Sequence, residues 1–88
     1  DVSAIGVMEA LMDSGIQVPG QVSVVGCDDI EIAQLVRPSL TTVRTSFEKQ
    51  GTRAVRHLMG LIAGGQTGCI EVLQGKIVPR ESTCERIV

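Results

Sequence analysis

Residues 22–44 read VSVVGCDDIEIAQLVRPSLTTVR, and the folding of this run decides how the rest of the chain can be arranged. Val22 to Val25 is a short apolar run, the pattern of a parallel strand buried on both faces. Gly26 breaks it, and Asp28 and Asp29 follow. In open parallel α/β sheets, ligands bind just beyond the carboxyl ends of strands, so Asp28 is a candidate for a binding cleft. Residues 29–36 spell a short helix with Asp28 or Asp29 as its cap. Pro38 ends that element and biases Arg37 toward extended geometry. Leu40 to Thr45, rich in β-branched residues, reads as the next strand.

Upstream, Asp1 and Ser3 are both suited to cap a helix running to about Ser14, closed by Gly15 in the left-handed C′ position. Its apolar residues form adjoining stripes, Ala4, Val7, Met8 and Leu11 on one and Ile5 and Met12 on the other. One stripe suffices to cover a sheet. The surplus leaves two readings open, a wide core-facing stripe or a second face against another subunit. Pro19 and Gly20 turn the loop that follows. Downstream, a second amphipathic helix runs from about Phe47 to Ala63, capped by Ser46. Ala54, Val55, Leu58, Met59 and Ile62 keep helical spacing, while Glu48, Lys49, Arg53 and Arg56 stay outside. Gly64, Gly65 and Gly68 make a connection, and two short strands, about Ile70–Leu73 and Lys76–Val78, close the chain. The alternation of helix and strand indicates α/β architecture. The strands are fewer than a doubly wound domain needs, so the expectation is a fragment, or a small unit completed by dimerisation.

Composition sets limits. Eighty-eight residues, 43% of them hydrophobic, make one small domain that buries roughly 60–65% of its unfolded surface. With a single Phe and no Trp or Tyr, no aromatic platform for single-stranded nucleic acid can be built. A net charge of −2 with scattered basic residues gives no footprint for duplex phosphates. No apolar run approaches the ~20 residues of a membrane span, and no signal-peptide pattern opens the chain. Cys27, Cys69 and Cys84 are odd in number and lack CxxC spacing, which points to reduced thiols in the cytoplasm rather than disulfides or a zinc site.

Each candidate residue has a plain reading beside the functional one. Asp28 and Asp29 could serve as acid and base, metal ligands or acceptors for sugar hydroxyls. Neighbours at a strand end diverge, so they rarely share one proton or one metal, and no further ligands stand at metal spacing. A carboxylate suits the neighbouring hydroxyls of a polyol or nucleoside. Against this, Asp28 could simply cap the following helix. Cys27 could be a nucleophile, but no neighbour in sequence lowers its pKa, and a buried or pocket-lining thiol is the simpler reading. His57 reads as a surface histidine. Phe47 could be core, or could stack on the apolar face of a sugar. The glycines at 64, 65 and 68 do not form a phosphate loop. The residues alone disclose no catalytic constellation.

Together the motifs carry a resemblance. Asp1-x-x-Ala4-x-Gly6, Gly15-Ile16-x-Val18-Pro19, Val22-Ser23-Val24-Val25-Gly26-x-Asp28-Asp29, Pro38-x-Leu40-Thr41-Thr42-Val43, Gly51 and Arg80-Glu81-Ser82-Thr83 resemble the C-terminal part of LacI/GalR-type (lactose-repressor/galactose-repressor) transcriptional regulators, with spacing held over nearly the whole chain. The resemblance implies an α/β fold, part of a type I periplasmic-binding-protein-like domain with a parallel sheet in three αβα layers, incomplete in this fragment. Residues 1–43 and about 70–88 would belong to its C-terminal subdomain, and about 47–64 would cross to the N-terminal subdomain. Val43, Arg44, Thr45 and Ser46 would form a hinge.

Asp28, Phe47 and Cys27 would line the effector pocket, where Cys27 departs from the family's usual aromatic. Ile5, Met8, Met12, Leu35 and Val36 would pair subunits in a homodimer. The implied function is sensing of a small sugar or nucleoside-like effector in a cytoplasmic regulator. Operator DNA would be reached only through an N-terminal headpiece absent from this stretch. Neither cofactor, metal, membrane nor enzymatic activity is expected. The alternative is a sugar-binding protein of a transport system with the same fold.

Overall fold

The computed structural model describes residues 1–65 and 70–86; Gly68 and Cys69 lie outside the described residues. The chain divides into two compact units, one made of Asp1–Arg44 with Lys76–Val88 and the other of Thr45–Gly75.

The first unit opens with helix α1, Val2–Asp13. Its turns bring Ala4, Met8 and Leu11 onto one face, and Met8 is only 2% exposed. Met8 forms the core with Val24, Ala33 and Leu40, and Ala4, Ile5, Leu11, Val18, Ile30 and Val36 pack against it. Gly15 ends the helix at φ 78°, the left-handed conformation that glycine adopts without a Cβ penalty. Asp1 occupies the N-cap position but makes no side-chain cap bond. Its carboxylate instead accepts from Ile30 N at 2.9 Å and from Thr42 Oγ1 at 2.6 Å, tying the helix start to residues far along the chain. Gly26 is required by this arrangement, since a Cβ there would run into the Asp1 carboxylate and stand 2.8 Å from Leu40 Cδ2.

Strand β1 is Thr42–Arg44 and β2 is Lys76–Val78. They pair antiparallel, with Thr42 opposite Val78, Val43 opposite Ile77 and Arg44 opposite Lys76. The expected strand Val22–Val25 is corrected. Its pairing reduces to one parallel bridge, Val25 with Thr41, extended by Gly26 N donating to Thr41 O and Asp28 N donating to Val43 O, each at 2.9 Å. It is not buried on both faces either: Val24 is core, whereas Val25 is 56% exposed. The helix expected over 29–36 contracts to a 3₁₀ turn, Glu31–Gln34, a geometry that suits short pieces. Its one buried residue is Ala33, whose carbonyl accepts from Leu40 N at 2.8 Å.

A strap at residues 80–83 closes this unit. Ser82 N donates to Ser39 O at 2.8 Å, and Val24 N donates to Ser82 O at 3.0 Å. The buried Ser82 hydroxyl donates to Val24 O at 2.6 Å and accepts from Thr41 N at 2.8 Å. Thr41 Oγ1 accepts from Arg80 N at 2.8 Å and lies 2.7 Å from Thr83 Oγ1. Ser39, Thr41, Thr42 and Ser82 are all buried. Among the described residues no buried side-chain oxygen or nitrogen lacks a partner, which is what makes a polar core half tolerable.

The second unit is built on helix α2, Phe47–Ile62. As expected, Ser46 caps it, its hydroxyl accepting from Lys49 N at 3.2 Å. No residue of α2 is buried; Val55, Leu58, Met59 and Ile62 stay exposed, so its apolar stripe is uncovered within the described residues. Opposite charges organise the polar side, where Glu71 pairs with Arg53 and lies 2.6 Å from His57 Nε2. The expected strand Ile70–Leu73 is absent: described residues 70–73 are irregular, and Ile70 is 97% exposed.

Candidate functional site

The two acids of the Gly-Cys-Asp-Asp turn end up with different partners. Both have left-handed backbones, Asp28 at φ 106° and Asp29 at φ 56°, conformations that non-glycine residues adopt only when surrounding structure imposes them. Here the imposing structure is β1. Asp28 N is tied to Val43 O, and Asp29 N donates to Thr42 Oγ1 at 3.3 Å. The turn therefore sits directly against the strand, with Asp28 exposed and Asp29 half-buried.

Asp29 is not the helix cap expected of it. The N-cap position of the 3₁₀ turn falls on Ile30, with no side-chain cap bond. The Asp29 carboxylate instead lies between two guanidinium groups, 2.7 Å from Arg44 Nε and 2.8 Å from Arg80 Nη2. Those bonds, Arg44's first and then Arg80's, hold its carboxyl below the usual aspartate range. Arg80 is mostly buried, and its Nη1 also donates to Leu40 O at 3.0 Å. Arg44 is largely in solvent.

Asp28 is exposed, and among the described residues its carboxylate takes no hydrogen bond. It is the free acid of the pair, with acceptor capacity for a bidentate set of hydroxyl donors. Cys27, also exposed with a free thiol, precedes it. Phe47 belongs to the second unit, where it is the first residue of α2 and is 57% exposed. Val43 and Arg44 end the first unit's N-terminal segment, and Thr45 and Ser46 begin the second unit.

The residues singled out for subunit pairing separate by burial. Leu35 and Met12 are exposed, at 65% and 41%. Ile5 and Val36 are half-buried against the core, and Met8 is inside it; Met8 is thus taken up by the chain's own packing. Among the described residues there is no cluster of metal-ligating side chains and no helix long and apolar enough to cross a membrane. Arg44, Arg80, Asp1 and Thr42, the groups that set the acid turn, were not readable as such. Arg80 is visible only as part of a motif, and nothing in sequence spacing joins it to Asp29.

The chain matches the model of the periplasmic binding protein-like domain over residues 1–83. It is 37% identical over 82 residues to the HTH-type transcriptional regulator AscG of Escherichia coli K12, covering 93% of this chain and 24% of that protein. The structure superposes on the crystal structure of the lac repressor dimer bound to operator and the anti-inducer ONPF with a TM-score of 0.83, at 34% identity, covering 93% of this chain and 29% of the other. It likewise matches a LacI family regulator from Arthrobacter sp. FB24 crystallised with lactose, with a TM-score of 0.76 at 37% identity, covering 94% of this chain and 32% of the other. This chain spans about a quarter of the length of the curated relatives it matches.

Proposed function

The chain belongs to the periplasmic binding protein-like domain family, on its LacI/GalR regulator side, and from that premise we propose that it is the effector-sensing and subunit-pairing part of a cytoplasmic transcriptional regulator. The effector is a small sugar or nucleoside-like polyol, and its binding adjusts operator affinity through parts of the protein outside this stretch. The observation that carries the reading is the division of labour in the acid turn. Asp29 is neutralised inside the protein, whereas Asp28 is exposed with its acceptor sites open. An unpaired carboxylate at the end of an apolar segment is suited to adjacent hydroxyls, and such charge-assisted bonds are directional as well as strong. Phe47, exposed at the start of α2, is suited to cover the carbon face of a sugar, and Cys27 is exposed next to Asp28 in sequence.

Val43 to Ser46 act as the hinge. What supports this is that the compact units part between Arg44 and Thr45, within that stretch. Subunits pair through Leu35 and Met12, with Ile5 and Val36 behind them; their exposed apolar surface supports this, as does the dimeric state of the lac repressor. The lactose bound to the Arthrobacter regulator favours a sugar as effector.

The test uses the full-length protein and titrates a panel of mono- and disaccharides by calorimetry. Asp28→Ala should weaken the binding sugar about ten- to a hundredfold, the loss of a charge-assisted hydrogen-bond pair. Affinity retained in that variant would remove Asp28 from the pocket.

A further inference from the structure

The Asp29 clamp has unequal arms. On one side stands Arg80, whose side chain is 14% exposed and also bonded to the Leu40 carbonyl. On the other stands Arg44, whose side chain is 57% exposed. Charge pairs that reach solvent are weak and screened by salt, while those withheld from it are screened much less. Arg80 is therefore the firmer partner of Asp29, and the Arg44 bond is the more readily opened of the two. Arg44 is also the last residue of β1 and of the first unit's N-terminal segment. Its rung faces Lys76, the first residue of β2, at which the chain returns to that unit. A strand of three residues with a single ladder partner has few backbone bonds of its own to stop its end from fraying.

We propose that the Asp29–Arg44 pair is a releasable latch on the strand end where the chain leaves the first unit, with Arg80 as its fixed post. Closed, the latch pins Arg44 against the acid turn and keeps the last β1–β2 rung formed. Open, it frees Arg44 and Lys76 together, because they share that rung. Asp28 is on the same turn, its amide bonded to Val43 O, so a load on Asp28 is felt one residue from the latch. The latch itself follows from this geometry. Its coupling to effector binding rests on the proposed function, and the test below uses no effector, so the two can fail separately.

Amide hydrogen exchange on the full-length protein, read in peptides covering 42–46 and 75–78, decides the matter. Arg44→Gln should speed exchange in both peptides about three- to fivefold, the effect of losing one partly exposed ion pair. Exchange across residues 33–41 should not change. Arg44→Lys should return the rate most of the way, and adding salt should speed exchange in the wild type but not in Arg44→Gln. Unchanged exchange in Arg44→Gln would overturn the latch. So would a rise that spreads equally to residues 33–41, which marks general destabilisation, or a Lys variant as fast as the Gln variant.

Discussion

Asp29 accepts hydrogen bonds from Arg44 and Arg80, and together these keep its carboxyl ionised below the usual 3.8. A folded-state pKa lower than the unfolded one adds stability that is present above the unfolded value and lost as pH falls through the folded one. Asparagine cannot titrate, so Asp29→Asn lacks this contribution at every pH. The stability penalty of that substitution, measured by urea unfolding, should be full at pH 7 and shrink as pH falls below 3.8. A penalty of equal size at both ends would show that geometry, not charge, makes Asp29 necessary. The neighbouring Asp28 was legible as a candidate ligand contact because an acid beyond an apolar run is a local pattern. The role of Asp29 was not, because its partner Arg80 arrives from the far end of the chain.

Helices α1 and α2 were readable from sequence nearly to their ends, because caps, apolar spacing and the C′ glycine all lie within a few residues of each other. The segment at Val22–Val25 was not. Whether an apolar run becomes a ladder depends on what lies alongside it, and here Thr41 and the strap residue Ser82 supply those partners. Ser82 is the element's centre: its hydroxyl serves both Val24 O and Thr41 N in a fully buried position. Ser82→Ala removes one donor and one acceptor and leaves two backbone groups unsatisfied, which costs about 1–3 kcal/mol for each such group. The expected result is a marked drop in the urea midpoint with an unchanged slope. A midpoint within error of the wild type would mean that water replaces the hydroxyl there.

Across the whole chain, the largest gap between sequence and structure concerns apolar residues. Periodicity placed Met8 on the core-facing stripe and the resemblance placed it in the subunit contact; in the structure it is 2% exposed within the chain's own core. Leu35, at 65% exposure, is the cleaner probe of subunit pairing, since substitutions at exposed positions usually move stability by about 0.5 kcal/mol or less. In the full-length protein, Leu35→Glu should shift sedimentation toward monomer at low micromolar concentration while leaving the thermal midpoint in place. An unchanged sedimentation profile would take Leu35 out of the interface. Ile5→Glu would be harder to interpret, because Ile5 also packs on the core.

The rung that joins Arg44 to Lys76 has one more consequence. With residues 45–75 set aside, β1 and β2 are the two arms of an ordinary hairpin, and the whole second unit occupies the place of its turn. Ends brought together by a ladder carry little extra closure entropy for a longer insert. The first unit is therefore indifferent to how large that insert is. What it requires is that the two ends can meet one strand-spacing apart when the latch is closed, so the second unit can change its contents as long as its doorway can shut to that width.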